Sequence, residues 1–252
     1  MTTLRARLHR SGDQSGFTLV ELLIAMSLAV VLMAVTMSAI VASQGAVLTT
    51  KQQQDLNEEA RQAINRMARD IRQARQIVTA VNPDRPTFSP TGLVATRFAA
   101  DYDGDGCVGG VVVAGGPVTC LPYNASNPED ITYCYQPGVT QLYIIDNQAA
   151  GVVPVTAATT SCSGGQPLLA GNVASFRVDY RSNLYRYDLN PSDGVTSWLE
   201  LDEATPPIGN GNGNLDDDEL VNVDSVVLNV TMRLGGRSQV YRTQVDLRNA
   251  SK

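Results

Sequence analysis

The sequence predicts an α+β fold: one long N-terminal helix, its first half membrane-spanning and its second half amphipathic, packed on an antiparallel β-sheet domain with long loops. Three observations predict it. All twelve prolines and eighteen of the 21 glycines lie after residue 80, so the two strongest helix breakers are confined to one part of the chain. Residues 17–42 contain 21 apolar residues out of 26 and a single charge, Glu21. From residue 91 onward, short runs of Val, Ile, Thr and Tyr alternate with turn residues and show no helical period.

The first sixteen residues form a basic leader, with Arg5, Arg7 and Arg10 against Asp13. The apolar run 17–42 follows it. As a helix this run is about 39 Å long at 1.5 Å per residue, enough for a bilayer core of roughly 30 Å. Positive residues stay on the cytoplasmic side, so the remainder should face outward. Residues 43–81 change character. Leu56, Ala60, Ala63, Ile64, Met67, Ile71, Ala74 and Val78 recur at spacings of three and four, while Gln, Glu, Asp and Arg fill the other faces. The helix is expected to end at Asn82-Pro83. Residues 82–252 make up the β-rich domain, with strands expected at 93–99, 111–114, 130–135, 141–146, 152–156, 173–181, 223–234 and 238–247. Residues 136–140 and the pair Gly235-Gly236 read as hairpin connections.

Composition excludes several function classes. The net charge of −6 and the pI near 4.8 argue against a nucleic-acid surface. There is no GxxxxGK[ST], GxGxxG or CxxC. The one histidine, His9, lies in the leader, so histidine-based triads, dyads and metal sites are not expected in the outward domain. The chain reads as a non-enzyme.

The junction of leader and apolar run carries the most specific signal. An ordinary secretory signal has an apolar core of about 7–15 residues with its cleavage site behind it. Here the core is longer and holds an acid five positions in. A charge in a membrane helix costs about 2.5–3.5 kcal/mol on insertion scales, so Glu21 needs a partner. A cut between Gly16 and Phe17 supplies one, the new α-ammonium, on the same chain or a neighbouring copy. Gly16-Phe17-Thr18-Leu19-Val20-Glu21 followed by this apolar run resembles the class III signal of type IV pilins and type II secretion pseudopilins. That resemblance implies cleavage after Gly16 by a prepilin peptidase, N-methylation of Phe17, and Glu21 as the assembly residue that pairs with a neighbour's N-terminus. Removing the leader leaves 16 basic and 24 acidic residues, a net charge of −8. The outward part more loosely resembles W-type minor pilins and J-type minor pseudopilins. Ser38 stands where many major pilins carry a helix-kinking proline, which favours a minor subunit.

Cys107, Cys120, Cys134 and Cys162 all fall in the outward domain, an oxidising place. Four cysteines allow three pairings. Cys107–Cys120 and Cys134–Cys162 are favoured because each closes a local loop between neighbouring strands. Two acidic loops resemble calcium loops. Asp101, Asp103 and Asp105 open a D-x-D-x-D-G pattern that ends on Val112 rather than Glu. The second loop places Asn210, Asn212, Asn214, Asp216 and Glu219 in register but begins on Ile208 where a carboxylate is wanted. Calcium takes six to eight oxygens, so another segment or water would have to complete either shell. No cofactor is required; calcium is the ion these loops would suit.

The expected function is therefore a minor pilin or pseudopilin, a structural subunit that starts or joins a filament. Its expected partners are other pilin or pseudopilin subunits, the prepilin peptidase, the inner-membrane assembly platform and, before assembly, the membrane itself. Its expected place is the inner membrane, single-pass with the C-terminal domain in the periplasm, and then a filament or the cell surface. A J-type pseudopilin of type II secretion, a tip adhesin or DNA-uptake subunit, and a signal-anchored periplasmic enzyme are the alternatives.

Overall fold

The computed structural model describes residues 18–81, 92–101, 107–108, 111–112, 128–156, 159–184, 187–204, 208–213, 215–234 and 236–247. Helix α1 covers Leu19–Gln73. The chain divides into two units, one ending at Gln53 and the other starting at Gln54, so α1 belongs in part to each.

In the first unit every described residue up to Gln52 is exposed. Leu22, Leu23, Ile24, Leu28, Val31, Leu32, Val35 and Ile40 face outward together, an apolar surface far larger than a soluble domain leaves bare. The hydroxyls of this stretch are turned back on their own helix. Ser27 donates to the Ile24 carbonyl (2.8 Å), Thr36 to Leu32 (3.0 Å), Ser38 to Val35 (2.8 Å), Ser43 to Ile40 (2.8 Å), Thr49 to Gly45 (3.0 Å) and Thr50 to Ala46 (2.9 Å). A hydroxyl satisfied within its helix costs little in an apolar medium, where an unpaired one costs several kcal/mol. Among the described residues this is the one helix long and apolar enough to cross a membrane.

The second unit is built on two antiparallel sheets. One has the order β1-β2-β5-β6-β7, from β1 (Gln76–Val81), β2 (Val94–Ala99), β5 (Asp130–Tyr135), β6 (Leu142–Asp146) and β7 (Gln166–Leu169). The other has the order β11-β10-β8-β9, from β8 (Val173–Ser182), β9 (Thr196–Ser197), β10 (Ser225–Leu234) and β11 (Arg237–Asp246). A short pair, β3 (Cys107–Val108) and β4 (Val111–Val112), stands apart, and two short helices follow β9: α2 (Trp198–Asp202) and α3 (Asp217–Leu220). The α+β class, with a long N-terminal helix and antiparallel sheets, is as the sequence predicts.

The amphipathic stripe is buried as its spacing requires. Ala60, Ala63, Ile64, Met67, Ile71 and Ala74 pack with Ile131, Tyr133 and Tyr135 of β5 and with Phe176, Val178 and Tyr180 of β8 in one core. Arg61, Arg66, Arg69 and Arg72 lie on the exposed side. Polar ties fix the helix to both sheets: the Tyr133 hydroxyl donates to Asp70 Oδ2 (2.6 Å) and the Tyr241 hydroxyl to Asn57 Oδ1.

Two expectations are corrected here. The helix does not run to residue 81: it ends at Gln73, and Gln76–Val81 form β1. Arg75 N–H donates to the Ala99 carbonyl (2.8 Å), handing the chain to β2, and Gln76, Ile77, Thr79, Ala80 and Val81 then pair with Ala99 back to Ala95, with a bulge at Val78. Ile77, Val78 and Thr79 are β-branched, and an available sheet edge outweighs a three-to-four spacing that Val78 merely extended by one step. Residues 152–156 do not form a strand. Pro154 cannot donate to a ladder, and the segment instead lays Val152 and Val155 on the outer face of the first sheet, against Cys134 and Ile145. The Cys134–Cys162 disulfide, with Cα atoms 5.7 Å apart, fastens this cover to β5. At Gly165 a Cβ would lie 2.9 Å from Tyr143 Cβ, which shows how closely the cover approaches β6.

The β5–β6 hairpin has the expected position, with Tyr135 opposite Leu142, and β10–β11 turns through Gly236 at φ 84°, with Leu234 opposite Arg237. Strands β1, β3, β7 and β9 and helices α2 and α3 were not expected, being too short for a periodic signal.

Candidate assembly site and acidic loop

Gly16 and Phe17 lie outside the described residues; the structure begins at Thr18, next to the proposed cut. Thr18 and Glu21 satisfy each other at the start of α1. Thr18 N–H and its hydroxyl both donate to Glu21 Oε2 at 3.0 Å, and Glu21 N–H donates to Thr18 Oγ1 at 3.3 Å. This is a capping box, in which a T-x-x-E sequence closes two of the free N–H groups that every helix start exposes. Both bonds to the carboxylate fall on one oxygen. An ionised carboxylate has about four acceptor positions, so the cap leaves capacity for a cation. Glu21 thus closes the helix start and still keeps acceptor positions open, four residues after Phe17.

The acidic loop after α2 is held by its own backbone. Ser197 caps α2, with Ser197 N–H and Oγ donating to Glu200 Oε2 at 2.7 and 2.8 Å. Burial raises the Glu200 carboxyl, but these bonds and one from Leu189 N–H outweigh it and bring the group below the usual range. The cap fixes Asp202 at the end of the helix, where it is 1% exposed. Asp202 Oδ2 accepts Gly213 N–H (2.8 Å) and its carbonyl accepts Gly211 N–H (2.7 Å), which folds the loop 208–213 onto α2. Gly211 and Gly213 take φ of 65° and 78°, a region that glycine enters freely. Asp216 Oδ2 accepts the side-chain amides of Asn210 (2.9 Å) and Asn212 (2.6 Å), and Asp216 N–H donates to Glu219 Oε2 (2.8 Å). Glu219 is fully buried; burial pushes its carboxyl up, against the Asp216 N–H, and the charges of Asp202 and Asp216 push it further.

Of the residues expected in this loop, Asn210 and Asn212 both donate to Asp216 and the Asp216 N–H reaches Glu219, while Asn214 lies outside the described residues. The residue that sequence reasoning missed is Asp202. The Ser197-x-x-Glu200 capping pattern could have placed a helix start just before it. In the other acidic loop Asp101 is described, but Asp103 and Asp105 lie outside the described residues. Cys107 is disulfide-bonded; Cys120, its expected partner, lies outside the described residues.

Gly209 seats the loop. A Cβ there would stand 2.2 Å from the Leu201 carbonyl oxygen and 2.4 Å from that of Asp202, both backbone atoms that cannot turn aside. Gly209→Ala is expected to destabilise the domain by about 2–3 kcal/mol, as overpacking against backbone does. Urea unfolding of the variant beside the parent protein checks it, and equal midpoints would contradict this reading of the loop.

No curated protein matches the sequence. One family does: the model for the prokaryotic N-terminal methylation motif matches residues 12–37, which span Gly16, Phe17, the Thr18–Glu21 cap and the first five turns of the apolar helix. At the start of a helix long and apolar enough to cross a membrane, the chain carries the N-terminal methylation motif of pilin-like and pseudopilin subunits.

Proposed function

We propose that this protein is a minor pilin or minor pseudopilin, cut between Gly16 and Phe17 by a prepilin peptidase, methylated on Phe17, and built into a filament or its initiating complex through Glu21. The methylation motif, joined to a helix whose exposed apolar half has turned its hydroxyls inward, carries the reading. Such a helix can leave lipid for the equally apolar interior of a helical bundle without losing a hydrogen bond, so packing and the charge pair at its tip decide where it settles. The absence of a proline at Ser38, whose hydroxyl sits on the Val35 carbonyl of an uninterrupted helix, supports a minor rather than a major subunit. The protein has no reaction of its own in this role; it is the peptidase's substrate and the filament's part. Either a pilus or a type II secretion machine would accept a subunit of this design.

Mass analysis of the N-terminus of the mature protein tests the proposal directly. A chain starting at methylated Phe17 is the expected result. A start at Met1, or beyond residue 42, would overturn it.

A further inference from the structure

We infer that Asn210-Gly211-Asn212-Gly213 is a latent deamidation site, held unreactive by Asp202 and Asp216, and that opening of this loop converts its amides irreversibly to carboxylates. The inference does not rest on the assembly role. An asparagine followed by glycine is the pair most prone to this chemistry, because no Cβ keeps the next backbone nitrogen from the side-chain Cγ. The chain repeats the pair twice without a gap. In the reaction the glycine N–H yields its proton to hydroxide, and its nitrogen bonds to Cγ of the preceding asparagine. The bond from Cγ to the side-chain nitrogen then breaks with release of ammonia. Water opens the resulting cyclic imide at either carbonyl, leaving aspartate or isoaspartate. The net change consumes a water, loses an ammonia and adds a negative charge.

The attacking and leaving groups are all engaged in the folded loop. Gly211 N–H donates to the Asp202 carbonyl (2.7 Å) and Gly213 N–H to Asp202 Oδ2 (2.8 Å). The side-chain amides of Asn210 and Asn212 donate to Asp216 Oδ2 (2.9 and 2.6 Å), and Asn210 Oδ1 accepts Asn212 N–H (2.9 Å). Both asparagines are exposed, so hydrogen bonding rather than burial protects them. The bond from Gly213 is the stronger guard. Gly213 is buried and Asp202 is 1% exposed, so removing the Gly213 proton would set an amide anion against a carboxylate with little water between them. Once either side-chain amide is hydrolysed, its donor to Asp216 is gone and a like charge stands in its place. The loop cannot re-form the same bonds, so the event runs one way.

The full chain in detergent is incubated in mildly alkaline buffer, folded or in urea, and the peptide containing residues 210–213 is followed by mass spectrometry. In the folded parent protein both amides should be lost about tenfold more slowly than in urea, or slower still, since reaction proceeds from opened states. Asp202→Asn keeps the shape but takes the charge from the acceptor of Gly213 N–H. Without urea, at a temperature where circular dichroism shows each variant folded, it should speed loss of the Asn212 amide by roughly fivefold or more. Val230→Ala, a truncation at a fully buried position of β10 outside the loop, controls for general loss of stability and should leave the amides slow. Loss in the folded parent within about threefold of the rate in urea would overturn the inference. So would an Asp202→Asn rate no greater than that of Val230→Ala.

Discussion

Glu21→Gln should drop the protein out of filaments at least tenfold while leaving it in the membrane. The substitution is chosen for what it keeps. Glutamine serves as the last residue of a capping box nearly as well as glutamate, so the Thr18–Glu21 hydrogen bonds have a neutral replacement and the helix start survives. What disappears is the charge. Membrane insertion should become no harder, since a charge is removed from an apolar helix. Assembly should fail, because a neutral amide has little to offer an α-ammonium in an apolar bundle, and a tenfold loss needs only about 1.4 kcal/mol. Immunoblots of sheared filaments against the membrane fraction give the ratio. Thr18→Ala is the counterpart: it weakens the cap by about 1 kcal/mol, keeps the charge and should assemble far better than Glu21→Gln. If Glu21→Gln enters filaments like the parent protein, Glu21 is a helix cap and nothing more.

Replacing Cys134 and Cys162 together by alanine should cost roughly 3–4 kcal/mol. The bond closes a loop of 28 residues, for which chain entropy alone gives about 3.6 kcal/mol. Both sulfurs are buried, so alanine also leaves lost packing against Val155 and Ile145. For a domain whose whole stability is on the order of 5–15 kcal/mol, this is a large share. Urea unfolding of the double variant beside the oxidised parent measures it. A difference under about 1 kcal/mol would mean that the segment 152–165 stays on the sheet without its tether. Protease cleavage confined to that segment would show instead that the cover has lifted.

The longest elements were readable because their signals are periodic or exclusive. A run of 21 apolar residues in 26 has few alternatives, and the stripe from Ala60 to Ile71 is buried along its length. The paired strands β10 and β11, ten residues each about a Gly-Gly turn, were equally plain. Misreadings fell where a segment's fate depends on a neighbour distant in sequence. Val78 continues the helical spacing by one step, yet β2, some twenty residues on, captures its neighbours Ile77 and Thr79 in a ladder and leaves Val78 at a bulge. Residues 152–156 are rich in β-branched side chains like a strand, yet Pro154 and the disulfide make Val152 and Val155 a cover.

The methylation motif, the anchor helix, its charged residue and the α+β class are set by the sequence alone, since each rests on contacts within a few residues or on composition. Tertiary structure decided the helix end, the covering of the sheet by Val152, Val155 and Cys162, and the folding of Gly211 and Gly213 onto Asp202. Those outcomes depend on which backbone groups and buried charges meet across the fold, and local spacing carries no record of such meetings.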